Sequence, residues 1–181
     1  IMEEENKKIE ITKDLKSELK TTQQKLVNEE GSSYIQPKLP KGAKLTKRTL
    51  TPDLCIALIW IYKFYRHNEE AVIGQYYSRK EFFADLLDNK EYDNITKNYH
   101  RLKWWGLIEP MPTDPDVIKY KKGYWGITET AIGFVQRELG MPKYALVYND
   151  FPYEHITDDN YVMIDKSLKE VGVDYNELLN Q

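Results

Sequence analysis

The sequence predicts an α+β protein that is mainly helical, with a helical core, an N-terminal helix and arm before it and a small α/β extension after it. The run "LCIALIWIY" at residues 54–62 has so broad an apolar face that it predicts a central, buried helix. Further helical patterns follow, and "VIKYKKGYWGI" at residues 117–127 then has the alternation of a Lys-rich hairpin. We therefore expect helices to dominate, with one hairpin among them.

The length and composition are those of one domain with an appendage. The chain has 181 residues, of which 41% are hydrophobic and 13% aromatic, enough to bury a core. The apolar run at 54–62 is far shorter than the roughly 20 residues that span a membrane. Because the N-terminal "IMEEENKKIE" lacks a secretory signal pattern, we expect an intracellular, cytoplasmic protein that does not bind membranes.

Cysteine usage and short motifs argue against an enzyme or a metalloprotein. The one cysteine, Cys55, lies in an apolar helical pattern that predicts an inert core thiol. The sequence has no glycine-rich phosphate loop, no GxSxG and no HExxH. His155 lies near acids, but acidic loops are usually just solvated. We expect no catalytic activity, no cofactor and no metal.

Charge is segregated along the chain, although the net charge is only −3. Residues 36–50 hold five bases and no acid, and residues 94–128 hold six bases and three acids. From residue 150 to the end there are eight acids and two bases. A locally basic surface can attract phosphate even on an acidic protein.

The chain divides into four predicted parts: an N-terminal helix, a basic linker or arm, a central domain and an acidic C-terminal extension. Their ranges are 1–30, 31–50, 51–141 and 142–181. In the first part, Leu15, Leu19, Thr22 and Leu26 form a narrow apolar seam. Such a seam fits a short coiled coil with a partner helix, packing on the body, or a solvated helix.

Capping signals divide the central domain into helices. Thr51, Ser78 and Thr128 stand at predicted helix starts, and a third helix is predicted from Asn94 to Trp105, ended by Gly106. The predicted order is helix, short strand, helix, helix, hairpin, helix.

Three stretches of this domain resemble the winged-helix proteins, and MarR-type regulators most closely. They are "SRKEFFADLL" at 78–87, "NITKNYHRLKWWGLIEP" at 94–110 and "YKKGYWGITETAIGFV" at 120–135. They look like a helix-turn-helix, a hairpin wing and the helix after the wing. The wing differs from the MarR pattern, since it carries lysines in place of an Asp-Arg pair.

The resemblance implies that residues 94–105 form a recognition helix for double-stranded DNA. Ile95, Tyr99, Leu102 and Trp105 share one apolar stripe, so the opposite face, the wing and the arm are expected to contact DNA. The predicted contact residues are Thr96, Lys97, His100, Arg101 and Lys103 on the helix, Lys119, Lys121 and Lys122 on the wing, and Lys44, Lys47 and Arg48 on the arm. Trp104 either packs beneath the wing or is exposed for stacking.

The C-terminal extension alternates apolar residues at 144–148 and again at 161–163, with residues 158–160 as the turn between two short strands. Because this part is acidic, we expect it to face away from DNA. It is a candidate for a homodimer contact, partner binding, autoinhibition or a solvated extension.

The leading functional prediction is a DNA-binding regulator, or a replication or packaging accessory, acting alone or as a homodimer through the N-terminal helix or the C-terminal extension. The alternative is a protein-interaction module whose basic face docks on an acidic protein partner. A third option is a ligand sensor with an aromatic pocket.

Overall fold

The structure, a computed structural model, describes residues 37–114 and 119–181. The predicted N-terminal helix and coiled coil therefore lie outside the described residues. Residues 36–111 and 120–181 belong to one compact unit, and the side-chain contacts discussed below all lie within it.

The described residues form six α-helices, two 3-10 helices and six strands. The helices are α1 Pro52–His67, α2 Arg79–Phe82, α3 Asp93–Asn98, α4 Glu129–Val135, α5 Ile164–Lys169 and α6 Tyr175–Asn180, with 3-10 helices η1 Lys90–Tyr92 and η2 Tyr99–Trp105. The strands are β1 Thr46–Thr49, β2 Tyr77–Ser78, β3 Ile108–Asp114, β4 Lys119–Ile127, β5 Met141–Tyr148 and β6 Phe151–Val162.

Helix α1 is the central buried helix that the sequence predicted. Its N-terminus is capped by Thr51, whose hydroxyl accepts a hydrogen bond from the Leu54 amide at 3.3 Å, and Pro52 occupies the first turn. Leu58, Ile59 and Ile61 are fully buried, which confirms the broad apolar face.

The predicted helix from Asn94 to Trp105 is present as α3 followed directly by η2; we call the two together the 93–105 segment. It ends at Gly106, which has a φ of +65° and donates its amide hydrogen to the Lys103 carbonyl at 3.0 Å. A left-handed residue at this position favours glycine, so the predicted stop is confirmed.

The β2–β4–β3 sheet lies among the helices of the central domain. Tyr77 and Ser78 of β2 pair antiparallel with Trp125 and Tyr124 of β4, and β3 is the other neighbour of β4. Helix α4 begins after Thr128, whose hydroxyl accepts from the Ala131 amide at 3.2 Å. From α1 to α4 the order is therefore helix, short strand, helix, helix, hairpin, helix, as expected; the family resemblance itself stays a prediction.

The β1–β5–β6 sheet joins distant parts of the chain. Strand β1 belongs to the predicted basic arm, yet its four residues pair antiparallel with β5 from Thr46↔Val147 to Thr49↔Tyr144. Strand β5 turns into β6 through Asn149 and Asp150, whose φ values of 46° and 67° are both left-handed. Two such residues make a tight hairpin turn, and Asn and Asp tolerate that conformation best among residues other than Gly.

The predicted turn at residues 158–160 is wrong, because those residues lie inside the 12-residue strand β6. Both places are rich in Asn and Asp, so local composition did not distinguish them.

The expectation of a mainly helical fold is also wrong. Two antiparallel sheets of three strands are present, and β3, β4, β5 and β6 are 7, 9, 8 and 12 residues long. Among the described residues only α1, with 16 residues, is a helix longer than seven. The sequence pattern missed this because β1 pairs with residues about a hundred positions away, which no local periodicity reveals.

The C-terminal helices share the core of α1. Ile164, Leu168 and Leu178 are buried in the same cluster as the α1 side chains. The Lys63 ammonium is buried and donates to the Leu178 carbonyl at 3.0 Å, and burial lowers the pKa of this lysine. Cys55 contacts Ser167 at 3.5 Å, and burial raises the pKa of its thiol to about 12, as expected for an inert core cysteine.

Candidate nucleic-acid interface

The 93–105 segment has the predicted apolar stripe. Ile95, Tyr99, Leu102 and Trp105 are all buried, and the Tyr99 ring packs edge-on against Phe83 with centroids 5.1 Å apart. This stripe fixes which way the remaining side chains of the segment point.

Thr96 does not lie on the exposed face, so that expectation is wrong. It is 1% exposed, and Arg79 from α2 donates to its carbonyl at 2.7 Å and to its hydroxyl at 2.9 Å. Thr96 sits next to Ile95 at the border of the buried stripe, where Arg79 covers it. Its described contacts are therefore structural.

Lys97 lies on the exposed face, with a side chain that is 61% exposed. Its ammonium is 3.1 Å from the Asp93 carboxylate one turn earlier. Exposed pairs of this spacing contribute only about 0.3–0.5 kcal/mol, so the lysine can exchange Asp93 for another anion at little cost.

His100 is half-buried, and its ring nitrogen Nδ1 donates to the Lys97 carbonyl at 3.1 Å. Burial, followed by the nearby charge of Lys103, lowers the pKa of His100. The ring is therefore predominantly uncharged near neutral pH and offers a hydrogen-bonding edge, with no fixed positive charge.

Lys103 is held inside the protein. Its side chain is 9% exposed, its ammonium pairs with the Asp150 carboxylate in the β5–β6 turn, and it lies 5.6 Å from the centre of the Trp125 ring. A lysine that is paired and covered in this way is not presented to a ligand. The β5–β6 hairpin thus covers a lysine that the sequence placed on the exposed face.

Trp104 packs against the same hairpin and is 6% exposed. Its indole Nε1 donates to the Asp150 carbonyl at 3.1 Å and to the Asp150 carboxylate at 3.2 Å. A second residue of the hairpin, His155 on β6, donates from Nε2 to the Trp104 carbonyl at 2.7 Å. Neither predicted position of Trp104 is therefore correct, because the C-terminal hairpin lies directly against the 93–105 segment.

Two arginines from different parts of the chain converge on the Trp104 ring. The guanidinium carbons of Arg48, on β1, and Arg101, on η2, lie 5.6 Å and 5.9 Å from the ring centre. Both side chains are exposed, and neither forms an ion pair with an acid whose side chain the structure describes. We call this group the Arg48–Trp104–Arg101 cluster.

The other predicted contacts are spread over the arm and the hairpin. Lys47 is exposed and lies 4.5 Å from the centre of the Tyr144 ring, and Lys44 is exposed before β1. Lys121 and Lys122 are exposed, with Lys121 3.9 Å from the Tyr124 ring. The side chain of Lys119 lies outside the described residues. No described contact joins the hairpin lysines to the Arg48–Trp104–Arg101 cluster.

The aromatic residues near α1 fill a core. Phe64, Tyr65, Tyr77 and Phe82 pack against one another with ring centroids 4.7–6.1 Å apart, as in a close-packed interior. The aromatic ligand pocket stays a prediction. A cleft of about 410 Å³ lies elsewhere, lined mainly by polar residues that include Arg137, Lys169 and Asp174.

Within the described residues, no three His, Cys, Asp or Glu side chains are grouped so that they could hold a metal ion. In the same residues, every helix is too short or too polar to cross a membrane.

Sequence reasoning missed Asp150, Trp104 and Tyr144 as the groups that organise the basic surface. The signal for Asp150 was the pair Asn149-Asp150 between two alternating stretches, which is a hairpin pattern.

Comparisons with protein-family models, with curated proteins and with solved structures found no match to this chain.

Proposed function

We propose that this protein binds duplex DNA through a surface formed by Arg48, Lys97 and Arg101. The observation that carries the proposal is the convergence of two exposed guanidinium groups, from β1 and from η2, on the Trp104 ring. Neither guanidinium group forms an ion pair with an acid whose side chain the structure describes. On a chain with a net charge of −3, such a concentration of exposed positive charge indicates an anionic ligand.

Arginine suits this ligand better than any other residue. Its planar guanidinium can bond two phosphate oxygens at once, or O6 and N7 of guanine in the major groove. The Trp104 ring restricts both side chains before binding, so less conformational entropy is lost when they meet phosphate.

The position of Lys97 supports the same surface. Lys97 and Arg101 are four residues apart, and residues with that spacing lie on one side of a helix. The 93–105 segment also follows a short helix and precedes the β3–β4 hairpin, the order in which a winged helix places its recognition helix. The proposed contact set is narrower than the sequence implied, since Thr96 and Lys103 are buried or paired.

Lys121 and Lys122 would add phosphate contacts at the periphery. A role as a regulator, or as a replication or packaging accessory inside the cell, is the finer part of this proposal and depends on which DNA is bound.

The test is fluorescence anisotropy of the full chain with a random 30-base-pair duplex over a salt series. We expect binding that weakens steeply with salt, because each phosphate contact releases counterions. Arg48→Ala and Arg101→Ala should each weaken binding by about tenfold and lower the salt slope by about one. Arg66→Ala removes an exposed arginine from the end of α1 and is the matched control that should bind as the unchanged protein does.

Two outcomes would overturn the proposal. One is the absence of duplex binding even at low salt. The other is an equal loss from Arg66→Ala and Arg101→Ala, which would mean that net charge alone attracts the DNA. If the arginine variants instead lose capture of an acidic protein, the protein-interaction alternative replaces this one, since carboxylates also bind guanidinium groups.

A further inference from the structure

The β1–β5–β6 sheet has an outward face with an unusual composition. Along β5, Ala145 and Val147 are buried, whereas Tyr144, Leu146 and Tyr148 on the other face are only half-buried. The solvent face of an antiparallel sheet normally carries polar residues at these alternate positions. Here it carries aromatic and apolar side chains, so burial in the described fold does not account for them.

Two lysines flank the aromatic ring at one end of this face. The ammonium of Lys47, on the neighbouring strand β1, lies 4.5 Å from the centre of the Tyr144 ring, and that of Lys143 lies 5.7 Å from it. Lys143 is at the register shift between Pro142 and Tyr144, where the regular alternation of β5 is interrupted. Neither lysine has an ion pair with an acid whose side chain the structure describes, a set that leaves out Asp158 and Asp159. A ring with flanking ammonium groups on an open sheet is suited to a ligand that is flat and apolar at one point and anionic beside it.

We propose that this face is a second nucleic-acid site, which binds unpaired nucleotides of DNA or RNA. Tyr144 stacks on a base, and Lys47 and Lys143 contact the phosphates on either side. Bases in a duplex hide their faces in the stack, so only unpaired bases can use an aromatic side chain in this way. Sheet surfaces that present rings and basic side chains bind single strands with little dependence on sequence.

Charge on the face sets the path of the strand. Glu154 on β6 lies opposite Leu146 and is exposed, so its carboxylate repels phosphate on that side. The strand therefore follows β1 and β5. At the far end of the face, Tyr153 packs near Tyr148 and donates its hydroxyl hydrogen to the Pro37 carbonyl at 2.7 Å. The backbone at residue 37 occupies that end of the face and not the Tyr144 end.

Strand β1 connects this face with the Arg48–Trp104–Arg101 cluster. Lys47 and Arg48 are consecutive residues of a strand, so their side chains leave it on opposite faces. Lys47 reaches Tyr144, and Arg48 reaches Trp104. The single-strand site stands without the duplex proposal, but simultaneous binding of a duplex and its overhang rests on both. Such joint binding would raise the affinity beyond that of either part.

The test uses the full chain at low salt with four labelled probes: a 12-nucleotide DNA strand, a 12-nucleotide RNA strand, a blunt 30-base-pair duplex, and the same duplex with a 12-nucleotide overhang. Tyr144→Leu should weaken binding of the single strands by about tenfold and leave the blunt duplex unchanged. Tyr144→Phe should bind as the unchanged protein does, because it keeps the ring. Tyr161→Leu removes a tyrosine that is 53% exposed on β6 and is the matched control.

Arg101→Ala should have the opposite selectivity, weakening the blunt duplex and sparing the single strands. Lys47→Glu, at an exposed position, should weaken single-strand binding and provides a second variant that does not alter the packed ring. The DNA and RNA strands distinguish the source of the unpaired nucleotides.

The proposal is overturned if the unchanged protein does not bind either single strand, or if Tyr144→Leu and Lys47→Glu bind them as well as the unchanged protein does. Single-strand binding without blunt-duplex binding would overturn the proposed function and leave this site standing. Duplex binding without single-strand binding would overturn this single-strand site and leave the proposed function standing.

Discussion

The β2–β4–β3 sheet and the β1–β5–β6 sheet each have three strands, but they are assembled differently. The first joins segments that follow one another between residues 77 and 127, and β2 pairs with β4 at only two positions. The second joins residues 46–49 to residues 141–162, and its hairpin anchors the 93–105 segment through Trp104. The sheet that decides which basic residues are exposed is therefore the one built from distant segments.

Loss of the Trp104 anchor should have the largest effect. Trp104→Ala removes a ring that is 6% exposed together with its hydrogen bonds to Asp150, so we expect the free energy of unfolding to fall by about 3–5 kcal/mol. Trp125→Ala removes a half-buried ring from β4 and should cost less. Urea denaturation measures both, and equal losses would contradict the greater importance of the β1–β5–β6 sheet.

Charge reversal should distinguish the two sheets as DNA-binding surfaces. Arg48→Glu, beside Trp104, is expected to weaken duplex binding by more than tenfold, because it both removes a guanidinium and repels phosphate. Lys121→Glu, on the hairpin, should weaken it only a few-fold. Anisotropy titrations at one salt concentration compare them, and a larger effect of the hairpin variant would move the main contact surface to the β2–β4–β3 sheet.

Removal of the Asp150 charge should strengthen binding moderately. Asp150→Asn keeps an oxygen for the Trp104 indole and suits the left-handed turn position, but it no longer neutralises Lys103. We expect duplex affinity to rise by about threefold, because Lys103 adds unpaired positive charge next to Arg101. Glu170→Gln changes the net charge equally at an exposed position on another part of the surface, and its affinity should stay the same.

The smallest expected effect is a change in pH dependence at the hairpin. Burial lowers the pKa of His155 below its ordinary value of 6.5, although its hydrogen bond to Trp104 opposes that shift. Below pH 6.5 the unfolded chain therefore takes up a proton before the folded one does. The contribution of His155 to stability is fully present above that pH and is lost as the pH falls towards the folded pKa.

His155→Gln should consequently flatten the decrease of the melting temperature between pH 7.5 and pH 5.5, values chosen about one unit either side of the histidine pKa. The change of melting temperature with pH in His100→Gln is the comparison, since burial also lowers the pKa of His100. An unchanged slope in His155→Gln would show that the hairpin histidine does not titrate in this range.

Much of the central region could be predicted because its signals are local. Thr51, Ser78 and Thr128 each cap a helix through groups no more than three residues along the chain. Gly106 ends a helix through its own backbone conformation. The buried stripe of the 93–105 segment follows from helical spacing alone. The pairing of β1 with β5 has no comparable local signal, and the Asn and Asp residues at 149–150 and 158–160 are equally suited to turns.

Local sequence signals predicted where the helices of the central region begin and which of their faces are buried, since both depend on residues a few positions apart. They did not predict where every helix ends, because helix α4 stops at Val135, before Gly140. The tertiary structure decided which positive charges are exposed. Lys103 and Arg101 are two residues apart, yet Asp150 pairs with one and not with the other. Arg48 lies near Arg101 only because β1 joins β5. Ion pairing and charge clustering depend on distance through space, and the fold alone sets that distance.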